Sequence, residues 1–239
     1  MNDLLAVMQL TDSAFPTGAF THSFGLETAV QEGWVANGNQ LTEWLVAYIK
    51  GSLIPMEGAA LVWARHYASK RLQDRSRSVK PFDDQLQMID QRLTVSRMAR
   101  ESREGAIKIG RRYLQIAQEL YPLAGLQEYA RWIEEKVCHG SSPVVHGWIC
   151  SFLGVSPRIT AVSFIYGGVN SLIQNAIRLM PIGQTEGQKV LARLLPVVEQ
   201  EIDRLLADLP QPDQIFQRTI RQEIASMRHE QLYSRLFMS

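Results

Sequence analysis

Four residues in a short span carry the side chains that bind transition metals: Cys138, His139, His146 and Cys150. Thiolate and imidazole suit borderline metals, and His146 and Cys150, four residues apart, share one face of a helix. A four-ligand site also needs its two halves held around the Gly140 to Pro143 turn, and nothing in the spacing fixes them. Cysteine is among the most buried residue types, and Cys150 stands between Trp148, Ile149 and Phe152, where a small core hydrophobe fits. The core reading outweighs the metal reading, and no metal ligand is assigned. His22 and His66 are isolated in sequence and read as hydrogen-bonded structural or surface residues.

Other catalytic templates fail on spacing. Gly183-Gln-Thr-Glu-Gly187-Gln-Lys189 imitates a phosphate loop, but its second glycine comes one residue early. A Gln separates that glycine from Lys189, Val190 replaces the magnesium-binding hydroxyl, and Glu186 puts an anion where phosphate would sit. His229-Glu230 opens like a zinc-protease helix, yet position 233 is Tyr, so the second imidazole is missing. There is no Gly-x-Ser-x-Gly elbow and no Cys-x-x-Cys pair. No catalytic residue and no cofactor site follow from these patterns.

The elements that carry these residues read as helices. Leu41, Trp44, Leu45, Tyr48 and Ile49 lie on one helix face, and Leu191, Leu194, Leu195, Val198, Ile202, Leu205, Leu206 and Leu209 repeat the pattern, with Pro196 as a point of kinking. Ser142-Pro143 and Ser156-Pro157 place a capping hydroxyl before a proline, and Thr185-x-x-Gln188 has the form of a capping box. A stripe of Phe82, Leu86, Ile89 and Leu93 is interrupted by Arg97, Arg100 and Arg103 and resumes at Ala106, Ile109, Tyr113 and Ala117, which predicts one long helix or two with a bend. Glu101 and Glu104 follow Arg97 and Arg100 by four residues, so intrahelical ion pairs on a solvated face explain much of the arginine series Arg92, Arg97, Arg100, Arg103, Arg111 and Arg112, with an acidic partner surface as the alternative. Ser69 to Asp84, polar and basic, reads as an exposed connection. No strand pattern competes, and the expected fold is all-α: one domain, residues 1–239, of about eight to ten helices.

Composition narrows the class. Of 239 residues 46% are hydrophobic, enough for a sizeable core, and 25 Lys and Arg against 24 Asp and Glu leave a net charge of +1. No global charge draws the chain to nucleic acid or to an anionic membrane. No apolar run approaches a membrane span, no signal-peptide pattern opens the chain, and two cysteines make no disulfide framework, so the expected location is a reducing cytoplasm.

The two ends of the chain are unusual. Residues 12–27, DSAFPTGAFTHSFGLE, bring Phe15, Phe20 and Phe24 together with Pro16-Thr17-Gly18 just before a helix expected near His22. The aromatics can wedge the segment against its own core or against another subunit. At the other end HEQLYSRLFMS, residues 229–239, stays apolar and aromatic to the last, and Tyr233, Leu236 and Phe237 need a surface to cover them. Arg221, Arg228 and Arg235 recur every seven residues, so a continuous helix would align them near one edge. Residues 229–239 read as a docking tail.

These segments, with RMARESREGAIKIG at 97–110, PVVHG at 143–147 and AIRLMPIGQTEGQKVL at 176–191, resemble the urease accessory protein UreF family over essentially the whole chain. The resemblance implies an all-helical, non-enzymatic maturation factor for the nickel enzyme urease. It implies a homodimer that binds the accessory protein UreD, also called UreH, and recruits the GTPase UreG to the urease apoprotein for nickel delivery. In that family the C-terminal tail becomes ordered against UreD/UreH. Arg235 matches the arginine of the closing Ser-Arg-Leu-aromatic-x-Ser motif, which supports assembly with the GTPase. Phe20 replaces a tyrosine of other members and lacks its hydrogen bond, and the position of His146 varies in the family, which weighs against a nickel ligand there. Phe20, Tyr233, Arg235, Leu236 and Phe237 are the expected partner-binding residues. The alternatives are a metal-dependent enzyme using Cys138, His139, His146 and Cys150, and a helical adaptor for a different metalloenzyme.

Overall fold

A computed structural model describes residues 3–73, 80–215 and 217–239, and side chains throughout these except those of Asp3 and residues 80–83. The described residues form ten helices and no strand: α1 (Asp3–Leu10), α2 (Leu26–Gln31), α3 (Gly38–Gln73), α4 (Lys80–Ser96), α5 (Arg100–Leu120), α6 (Ala124–Glu134), α7 (Ser142–Phe152), α8 (Pro157–Leu179), α9 (Gln184–Ala207) and α10 (Ile220–Arg228). The all-α expectation holds. The expected exposed connection gives way at both ends to helix, since α3 runs to Gln73 and α4 starts at Lys80. Its middle, residues 74–79, and the side chain of Phe82 lie outside the described residues.

Helix α7 is the centre of the fold. Every residue from Ser142 to Ser151 is buried, because α3, α5, α6 and α8 surround it. Close approach needs small residues: a Cβ on Gly147 would stand 2.2 Å from the Leu61 carbonyl oxygen of α3, and one on Gly110 of α5 would stand 2.1 Å from the Gly140 carbonyl oxygen. The entry to α7 is organised from a distance. The Asp90 carboxylate accepts from the backbone amides of His139, Gly140 (2.8 Å) and Ser141 (3.0 Å), and the cap position falls on Ser141, one residue before the expected Ser142.

The other starts divide in the same way between local and remote causes. Ser156 caps α8, its hydroxyl accepting from the Ile159 amide at 3.3 Å, and Asn37 caps α3 by accepting from Asn39 and Gln40. The Thr185 box does not form: α9 begins at Gln184 behind Gly183, and no side chain caps it. The turn from Gly183 to Lys189 is thus a helix entry, with Glu186 paired to Lys189 and Arg193. Helix α9 continues unbroken through Pro196.

Helix α3 contains a π-helical stretch, Ile49–Gly58, with Pro55 inside it. Proline has no amide to donate and crowds the carbonyl one turn back, and the wider turn accommodates both defects. The stretch turns Glu57 inward, where Arg97 meets it at 2.8 Å and the Tyr48 hydroxyl donates to it at 3.2 Å. An 18-residue window of α3 is apolar enough to cross a membrane, which corrects the expectation that no segment comes close, but 72% of that window is buried in the core.

Candidate docking surface

The two unusual ends of the chain meet. The backbone turns out of α10 through a short 3-10 turn, His229–Gln231, and runs irregularly to Ser239. The expected continuous helix therefore stops at Arg228. Arg221 and Arg228 do share one edge, both stacked on Trp34 at 4.9 and 5.7 Å, but Arg235 leaves it and pairs instead with Glu101 at 2.8 Å.

Hydrogen bonds between residues 21–31 and 229–239 hold the return. Their core is a ladder: the Met238 amide donates to the Thr21 carbonyl at 2.8 Å, and the Ser23 and Phe24 amides donate to the Ser239 backbone oxygen at 2.6 and 3.0 Å. The Ser23 hydroxyl donates to that oxygen as well, and His22 Nδ1 lies 2.8 Å from the Ser239 hydroxyl. Glu27 of α2 accepts from the Leu236 amide at 2.6 Å and the Phe237 amide at 3.0 Å. Gln31 donates to the Ser234 carbonyl.

The segment receiving the tail departs from helix for a local reason. Gly18, Phe24 and Gly25 all have positive φ, so no regular helix begins near His22, and α2 starts only at Leu26. A Cβ on Gly25 would stand 2.8 Å from the Ser226 amide nitrogen, so glycine both permits the turn and lets α2 press on α10. The aromatics split between the two expected roles. Phe15 packs edge-on to Tyr113 at 5.6 Å and Phe24 stacks on His22 at 5.8 Å, whereas Phe20 stays 45% exposed.

Over the last four residues the side chains alternate: Phe237 and Ser239 point inward, Phe237 beneath the Arg178 guanidinium at 4.9 Å, and Leu236 and Met238 are half exposed. Tyr233, Ser234 and Arg235 before them all face solvent, Tyr233 fully. Of the five expected partner-binding residues, Phe20, Tyr233, Arg235 and Leu236 are exposed, and Phe237 is buried as an internal anchor. Sequence reasoning missed Met238, His229 and Glu27. The paired anchoring residues stand more than 200 positions apart, and no local pattern marks them.

The four metal candidates do not form one site: His146 and Cys150 meet, Cys150 Sγ lying 3.4 Å from His146 Nε2 as their spacing predicts, but Cys138 and His139 do not complete a ligand set with them. Among the described residues no group of three or more His, Cys, Asp or Glu side chains could hold a metal ion. Cys138 packs in the main core, whereas Cys150 packs with Val7 and Val155 in a separate cluster. His146 takes a hydrogen bond with Tyr113 at 2.9 Å on Nδ1 and faces the Thr160 carbonyl oxygen at 3.2 Å on Nε2, the pairing of a neutral ring. Burial lowers its pKa to about 4 and pushes the Cys150 thiol up to about 12.

The arginine series is also reassigned. Arg97 pairs with Glu57 and Arg100 with Glu230, Arg103 donates to the Arg97 carbonyl, and Arg111 donates to the His139 carbonyl. These arginines tie elements together instead of pairing along α5. Beneath the N-terminal segment lies a cavity of about 800 Å³, lined among others by Phe24, Glu57, Arg97, Tyr113 and His146.

A family model described as UreF matches residues 35–195. The urease accessory protein UreF of Bacillus sp. (strain TB-90) is 36% identical over 239 residues, covering 100% of both chains. That of Lachnoclostridium phytofermentans is 36% identical, covering 100% of this chain and 99% of its own. That of Actinobacillus pleuropneumoniae serotype 5b is 35% identical, with 100% of both chains covered. Both docking segments lie outside the stretch matched by the family model and inside these full-length alignments.

Proposed function

Because this chain belongs to the UreF family of urease accessory proteins, with a role in urease maturation, we propose that it acts by binding alone: a scaffold that joins UreD/UreH and the GTPase UreG to the urease apoprotein for nickel delivery. It works in the cytoplasm as a homodimer and catalyses no step itself. The observation that carries this reading is the exposed apolar side of an anchored tail. Phe237 and Ser239 are buried, Leu236 and Met238 alternate outward with them, Tyr233 stands fully in solvent ahead of them, and the Met238 amide donates to the Thr21 carbonyl next to the exposed Phe20. An ordered apolar row costs less entropy to bind than a loose tail, because its backbone is already fixed.

UreD/UreH is the partner assigned to this row, and Arg235, half in solvent and tethered by Glu101, is the residue assigned to assembly with UreG. A specific interface of ordinary size buries about 1,600 Å² in total, so the row is the centre of a larger surface. The test is urease activity in a strain lacking this gene, complemented with the chain carrying Tyr233→Ala, Leu236→Asp and Met238→Asp. Loss of activated urease with the variant still folded supports the reading. Full activation contradicts the docking row, and a deletion strain whose urease is unaffected, with another metalloenzyme impaired, would favour the adaptor alternative.

A further inference from the structure

Glu57 and Arg97 both line the cavity of about 800 Å³ beneath the N-terminal segment, and their hydrogen bonding is incomplete. Glu57 Oε1 takes both the Arg97 Nη2 contact and the Tyr48 hydroxyl. Among the described residues no partner meets Glu57 Oε2 or the remaining Arg97 nitrogens, and Arg97 Nε is fully buried without an acceptor. Buried polar groups are paired almost everywhere in folded proteins. A carboxylate oxygen and guanidinium N–H groups left over side by side therefore need a partner from outside the chain. Water serves where the surroundings are polar, but the lining beside this pair is aromatic. Phe15, Tyr113, His146 and Phe164 adjoin ring to ring at 5.6, 5.9 and 5.4 Å, and the Phe24 ring lies 5.8 Å from the Arg97 guanidinium. A mostly apolar cavity of this size with a few convergent polar atoms is the form of a small-molecule site.

Two costly backbone features build this wall. The π-helical stretch of α3 turns Glu57 inward, and Phe24 holds a left-handed φ of 49° that a bulky side chain rarely adopts. Such departures from regular backbone gather at functional sites, where the gain in positioning offsets the strain.

We propose that the cavity binds a small uncharged molecule with a flat apolar body and a carboxamide edge. Its carbonyl oxygen accepts from the Arg97 guanidinium, and the neighbouring N–H donates to the unused Glu57 oxygen. The charge balance selects against ions. Glu57 and Arg97 neutralise each other, and His22 and His146, also in the lining, have their pKa values lowered to about 4, chiefly by burial, so neither is charged near neutral pH. The other charged lining residues, Asp12 and Arg178, are exposed to solvent. A carboxylate in the ligand's place would face Glu57, and a cationic group would face Arg97, each within the fold. The occupant lies behind the seat of the tail, since the Phe24 amide donates to Ser239 and Arg178 covers Phe237. It requires neither UreD/UreH nor UreG, so the site is independent of the scaffold reading.

The experiment is an NMR titration of the full chain at neutral pH, with ¹⁵N-labelled arginine and backbone, using probes of one shape: benzamide, benzoate and benzamidine. The expected result is saturable shifts of the Arg97 side-chain N–H and Phe24 amide signals with benzamide, and binding weaker by about tenfold or more for both ions. In the paired exchange Glu57→Leu with Arg97→Met, read on the Phe24 amide, benzamide should weaken by a similar factor. No saturable shift with benzamide, equal binding of all the probes, or tighter binding of either ion would overturn the proposal. The comparison of probes on the unaltered chain decides the question even if the paired exchange fails to fold.

Discussion

The Glu57 carboxylate and the Arg97 guanidinium meet at 2.8 Å with 6% of each side chain exposed, and they join the π-helical stretch of α3 to the break between α4 and α5. Removing one partner strands the other charge in the core. Glu57→Ala should therefore destabilise the fold by about 3–5 kcal/mol, while the paired exchange Glu57→Leu with Arg97→Met should cost much less. Urea unfolding midpoints of the two variants check this.

Stability should fall on acidification through His146. Its folded pKa of about 4 lies below the unfolded value near 6.5, so the unfolded chain binds the proton first as the pH drops. The stabilisation is fully present above about pH 6.5 and is lost progressively toward pH 4, reaching about 3 kcal/mol at the limit. Replacing His146 with Gln should flatten the acid limb of a plot of unfolding free energy against pH, whatever it costs at neutral pH. An equally steep limb would assign the acid sensitivity to other groups.

Both cysteines should be inert in the folded chain. Cys138 and Cys150 are both buried, out of reach of a reagent in solution, and burial raises the Cys150 thiol to about 12, so almost none of Cys150 is thiolate at neutral pH. A disulfide reagent such as DTNB should react with neither until denaturant is added. The double exchange to Ser should leave urease maturation intact, whereas a metal-dependent enzyme built on these thiols would lose its activity.

Phe237 should matter to the tail and little to the rest. Its ring is buried under Arg178, so Phe237→Ala should weaken tail docking by about 3 kcal/mol, at the lower end for a buried aromatic because the site lies at the edge of the fold. Exchange at the Leu236 amide should rise more than a hundredfold, with a melting temperature close to that of the parent chain.

The helices were legible because their causes are local. The face of Leu41, Trp44, Leu45, Tyr48 and Ile49 is buried as its spacing predicts, and Ser156 caps α8 with its own hydroxyl. What escaped the sequence reading is supplied from far away. The break between α4 and α5 falls at residues 97–99, where Glu223 of α10 accepts from the Met98 and Ala99 amides and Arg97 turns inward to Glu57. A stripe interrupted by arginines cannot show where their partners stand. The tail reads as apolar and in need of cover, but only Phe237 is covered; what holds the segment is hydrogen bonding of its backbone to Glu27, Thr21 and Ser23 of the same chain, partners no local pattern shows.

The most direct test of the docking row is light scattering after size exclusion on the chain co-expressed with UreD, comparing the parent with the variant Tyr233→Ala, Leu236→Asp, Met238→Asp and with a chain ending at Arg228. The account predicts a complex of defined mass for the parent and none for either altered chain, with their helical content retained. A complex of unchanged mass with the outward residues replaced would contradict it.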